Sequence, residues 1–87
     1  MWIRYKNLQR KVTLTNLDHT DIVYMASDLE GTYRICTEQY SPDVPIAIAN
    51  GITGTTARDA IDAIAGAICA GVSLFDLVDW LRREGTQ

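Results

Sequence analysis

Polar and apolar positions alternate through the first third of the chain. In "WIRY" (2–5) Ile3 and Tyr5 fall on one side, while Trp2, Arg4 and Lys6 fall on the other. "KVTLT" (11–15) sets Val12 and Leu14 against Thr13 and Thr15, and "TYRICT" (32–37) sets Tyr33 and Ile35 against Arg34 and Cys36. A period of two marks a strand with two unlike faces. "DIVYMA" (21–26) is apolar on both sides, as in an interior strand covered above and below. β-Branched and aromatic residues dominate all four runs, which suits a pleated surface. The links are short: Lys6 to Gln9, Asn16 to Thr20, and "DLEG" (28–31), read as a type I turn with Gly31 in the left-handed position. Short links between consecutive strands predict an antiparallel meander over residues 1–39.

From Tyr40 the pattern lapses. "SPDVP" (41–45) holds both prolines and interrupts regular structure. "IAIAN" (46–50) reads as a short extended segment within a connecting stretch of 40–54. The alternative is a helical turn capped by Ser41, with Pro42 at its first position. The period then lengthens to that of helices. Thr55 or Thr56 is expected to cap the first, over 55–71. With Thr56 as cap, Asp59 falls where a capping box needs an acid, and Gly71 stops the helix. Ser73 is expected to cap the second helix, over 73–85, with Asp76 three residues on and Gly85 as the stop. The expected fold is α+β: a four-stranded antiparallel meander followed by two C-terminal helices packed on one face.

The two helices differ in character. In the second, Leu74, Leu77, Val78 and Leu81 form one apolar stripe, and Phe75 and Trp80 fall off it. In the first, Arg58, Asp59 and Asp62 sit in the opening turns, and "AIAGAICA" (63–70) is apolar all round. Ile61, Ile64 and Ile68 form a ridge. Ala63, Gly66, Ala67 and Ala70 form a flat flank that another backbone can approach. A helix apolar on every side has to be enclosed, and a short chain has little material to enclose it.

Size sharpens that point: 87 residues hold one core, hence one domain. The opening residues do not form a secretory signal. The longest nearly uncharged run, 63–75, is too short to span a bilayer, so a cytoplasmic protein is expected. Cys36 and Cys69 read as small buried hydrophobes; a bridge between them requires their Cα atoms to lie within disulfide reach. The net charge of −3 is unevenly spread: residues 1–17 hold Arg4, Lys6, Arg10 and Lys11 with no acid, and the remainder holds four arginines and all eleven acids.

The candidate chemistry is thin. "NGITGTT" (50–56) has two glycines before a helix, as a phosphate cradle does. It lacks both the Lys-Ser/Thr of a P-loop and the G-x-G-x-x-G of a dinucleotide site, and reads as a turn and a cap. Asp18, His19 and Asp21 cluster in one turn without a second segment of ligands, so no metal site is expected. Ser27, Ser41 and Ser73 share His19 as the single possible base and have no nucleophile elbow. No enzyme and no cofactor are expected. Instead the sequence points to a small non-catalytic protein-binding module, regulatory or inhibitory, of the kind phages and mobile elements encode. It is expected to form a homodimer through its helical layer, using Ala63, Gly66, Ala67, Ala70, Phe75 and Trp80. The alternative is nucleic-acid binding by the basic hairpin, through Trp2, Arg4, Lys6, Arg10 and Lys11: an aromatic among cations on a sheet face. A single aromatic on that face and an acidic total charge weigh against it.

Overall fold

The structure is a computed structural model. It describes residues 1–27, 29–39 and 45–84, with the backbone alone at 19–22, 39 and 45. The chain is α+β, and the described residues form six strands in two sheets and two helices. Strands β1 (Trp2–Lys6) and β2 (Val12–Asn16) form the expected hairpin. Asn7 organises its turn: its side-chain oxygen accepts the amides of Gln9 (2.9 Å) and Lys11 (3.0 Å). A 3-10 turn, Leu17–His19, leads to β3 (Thr20–Ser27), and a second, Leu29–Gly31, leads to β4 (Tyr33–Gln39). In that second turn Glu30 joins Gly31 in the left-handed region (φ 57° and 77°), whereas the sequence predicts glycine alone there; Asp28 lies outside the described residues.

The single meander is not what forms. The strand orders are β2-β1-β6 and β3-β4-β5, and among the described residues no ladder joins β2 to β3. The break falls at Asn16–Asp18. Asn16 accepts the Asp18 amide through its side chain (3.0 Å), the Leu17 amide donates to the Met1 carbonyl (2.8 Å), and Leu17 turns into the core. A buried leucine and an Asx turn redirect the chain, so β3 begins a new sheet.

The extended reading of 46–50 holds, and the strand is longer. β5 (Pro45–Ile52) pairs antiparallel with β4, which becomes the central strand of its sheet. β3, read as the interior strand, lies at the edge, and it is β4 that buries Ile35, Cys36 and Thr37. The helical alternative capped by Ser41 concerns 41–44, outside the described residues.

Helix α1 (Gly54–Cys69) starts earlier than expected. Thr53 is the cap; its hydroxyl oxygen accepts the Thr56 amide at 3.1 Å. A Cβ at Gly54 would crowd this entry, sitting 3.0 Å from the Tyr33 ring. The end is as expected: Gly71 is left-handed (φ 73°), its amide bonds to the Ile68 carbonyl, and the Val72 amide bonds to that of Ala67.

The second helix departs most. Leu74–Asp76 is a strand, β6, running parallel to β1 in the register Trp2↔Leu74, Ile3↔Phe75, Arg4↔Asp76. Helix α2 (Leu77–Arg83) therefore begins at Leu77, with Asp76 and not Ser73 as its cap. The Ser-x-x-Asp signal is locally sound, but pairing with β1 claims the three residues it would have made helical. Nor do the helices share one sheet face: α1 packs on β3 and β4, and α2 on β1. Between them lies one core, drawing on Ile3, Ile35, Ile48, Ala60, Ile64 and Leu77.

Candidate interaction surface

Pairing decides which residues of the first sheet face water. β1 and β2 meet with Ile3 opposite Thr15 and Tyr5 opposite Thr13, so the two threonines share the inner face with Ile3 and Tyr5. Directly opposed residues lie on the same side of a sheet. Val12 and Leu14 are thereby carried outward beside Trp2, Arg4 and Lys6, and β6 adds Leu74 and Asp76. The outer face of a small domain thus carries four large apolar side chains that are about half exposed: Trp2 (48%), Val12 (49%), Leu14 (55%) and Leu74 (49%). In mid-face, Arg4 Nη1 donates to both carboxylate oxygens of Asp76, at 3.0 and 2.8 Å. Asp76 also accepts the Asp79 amide at 3.0 Å as the cap of α2. That amide, Arg4 and Arg82 hold its carboxyl below the ordinary carboxylate range, against an opposing push from burial.

The helical residues do not form one exposed surface. Gly66 and Ala70 are exposed, and Ala63 and Ala67 are half-buried. Phe75 is a β6 residue opposite Ile3, and Phe75 and Trp80 both pack against the core. Nor is α1 enclosed by its own chain. Ala57, Ala60 and Ile64 are buried, but Ala65, Gly66, Ile68, Cys69 and Ala70 are open to solvent. Cys69 is thus an exposed thiol, not the buried one expected, Cys36 is buried, and no disulfide joins the two.

The basic hairpin is partly as expected. Trp2, Arg4 and Lys6 do share a face, and Lys6, Arg10 and Lys11 are exposed. Arg4, however, is engaged by Asp76. The side chains of His19 and Asp21, needed for a metal reading with Asp18, lie outside the described residues; Asp18 itself pairs with the Met1 amino group at 2.9 Å. At "NGITGTT", Thr53 caps α1, but Asn50–Ile52 is the end of strand β5 and not the turn expected there.

One concave feature accompanies the flat face. A groove of about 360 Å³ runs between the end of β5 and α2, over Ile48, Ile52, Leu77 and Leu81, with Lys6 and Arg82 among its walls. No helix among the described residues is long and apolar enough to cross a membrane. Comparison with known protein families, with curated proteins and with solved structures gave no match.

Proposed function

We propose that the chain is a small non-catalytic protein-binding module, and that it docks through the outer face of the β2-β1-β6 sheet. The observation that carries this reading is the half-exposed set Trp2, Val12, Leu14 and Leu74. Isolated surface apolar residues are ordinary. Here the register makes Trp2 and Leu74 direct neighbours and puts Leu14 two residues along the adjacent strand from Asn16, the partner of Trp2. Apolar groups gathered on one face of a small domain mark interaction sites, and here they surround the Arg4–Asp76 pair. The centre of the face suits a protein partner too, because the Arg4–Asp76 pair leaves no net charge there. A second copy is the simplest such partner, through a two-fold contact. Ile68 near the end of α1 and Val72 just before β6 are exposed apolar residues as well.

Sedimentation velocity across a concentration series, together with retention of proteins from the native host's lysate, tests this. Wild type should associate with itself or retain a partner. The Trp2→Ser/Leu14→Ser variant, with unchanged circular dichroism, should do neither. Equal behaviour of the two proteins would remove the sheet face as the docking site.

One observation favours the nucleic-acid reading: Trp2 is exposed on the face that holds Lys6, with Arg10 and Lys11 in the adjoining turn. That reading requires binding to a single-stranded oligonucleotide that weakens steeply with salt and fails when Lys6, Arg10 and Lys11 become alanine. A protein that retains no oligonucleotide in low salt would exclude it.

A further inference from the structure

Apart from Lys6, which ends β1 beside the apolar sheet face, the groove between β5 and α2 is built from other residues than that face, and it does not rest on that reading. Its volume, about 360 Å³, lies within the range of small-molecule sites. The lining is apolar at Ile48, Ile52, Leu77 and Leu81, and the charged residues among its described lining are both basic, Lys6 and Arg82. In a chain with eleven acids and a net charge of −3, a groove with two basic residues and no acid among its described lining is a distinct electrostatic feature. The two cations are not equivalent. Arg82 already acts on Asp76, whereas Lys6 has no ion-pair partner among the described residues.

We propose that this groove binds a small amphipathic monocarboxylate, with its apolar body against Leu77 and Leu81 and its carboxylate at Lys6. One cation unpaired among the described residues matches one negative charge better than the near-double charge of a phosphomonoester. An extended peptide fits less well, although among the described residues no strand pairs with β5 on its other side. β5 carries extra residues between Ala49 and Ile52 and again between Ala47 and Ala49, and Gly51 is left-handed (φ 64°). Bulges of this kind twist a strand edge and spoil the regular ladder an added strand would need.

The test is a residue-resolved amide shift titration of the whole chain with sodium octanoate, and with octan-1-ol as the uncharged match. Saturable shifts at Asn50, Gly51 and Val78 are expected with octanoate. Affinity should fall by about tenfold for octan-1-ol, and by a similar factor when Lys6→Gln removes the charge but keeps the length. Lys6 is exposed at the end of β1, so the variant should fold; unchanged amide shifts elsewhere check this. Octan-1-ol binding as tightly as octanoate overturns the proposal. So do octanoate shifts centred on Trp2 and Leu14, retention of affinity in Lys6→Gln, or the absence of any saturable shift at low millimolar concentration. None of these outcomes bears on the association test for the sheet face.

Discussion

Arg4 and Asp76 stand opposite each other in the parallel β1–β6 register, and the guanidinium reaches both carboxylate oxygens, at 2.8 and 3.0 Å. They are 72 residues apart, and Asp76 is also the cap of α2. One carboxylate therefore ties the first strand to the last strand and to the last helix.

The two partners should not cost the same when removed. Arg4→Ala loses a pair in which both side chains are more than a third exposed, worth about 0.5 kcal/mol. Asp76→Ala loses the pair and the helix cap, about 1.5 kcal/mol together. Urea denaturation of both single variants and the double variant gives the coupling directly. Equal losses from the two single variants would mean that the cap contributes nothing.

The same carboxylate sets a pH dependence. Its folded-state pKa lies below the ordinary value of 3.8, so it contributes stability that is fully present above pH 3.8. That contribution is lost as pH falls from 3.8 through the lower folded value. Asp76→Asn should therefore be less stable than wild type at neutral pH, and the gap should close in acid. Solvent screening keeps the effect small, and added salt should shrink it further. A gap that widens in acid would reverse the sign argued here.

Two helical glycines should respond oppositely to alanine. A Cβ on Gly66 meets nothing within 4 Å, so Gly66→Ala should stabilise by about 0.5–1 kcal/mol. A Cβ on Gly54 meets the Tyr33 ring at 3.0 and 3.4 Å, so Gly54→Ala should destabilise by about 1 kcal/mol. Thermal melts of both variants decide it. Gly66→Ala also probes association: if it abolishes self-association while raising the melting temperature, the α1 flank is a close backbone contact after all.

The apolar sheet face should be dispensable for folding. Trp2, Val12 and Leu14 are about half exposed, so Leu14→Ser should cost less than about 1 kcal/mol. Ile3, fully buried one position from Trp2, should cost about 3 kcal/mol as Ile3→Ala. Chemical denaturation separates them. A Leu14→Ser loss as large as that of Ile3→Ala would place Leu14 in the core and end its role as a docking residue.

Much of this was legible in the sequence, and the failures share a form. The alternation of Ile3 and Tyr5 with Trp2, Arg4 and Lys6 named a strand and its faces correctly, because a period of two is a property of the strand itself. Gly71 marked the end of α1, because a left-handed residue is a local requirement. Ser73 misled because its capping signal is local too, and pairing with β1 overrode it. Asp76, read as the third residue of a helix, became the cap of a shorter one. Val12 and Leu14 were visible as one face of β2, but alternation does not say which face is buried.

Local backbone preference and periodicity, carried by the sequence alone, determined that this chain makes strands and then helices, and where a helix must stop. Only the tertiary structure decided that the strands divide into two sheets, that β6 exists, and that Trp2, Val12, Leu14 and Leu74 meet on an open face. Pairing and burial depend on residues far apart in the chain, and no local pattern encodes which distant partner a strand will find.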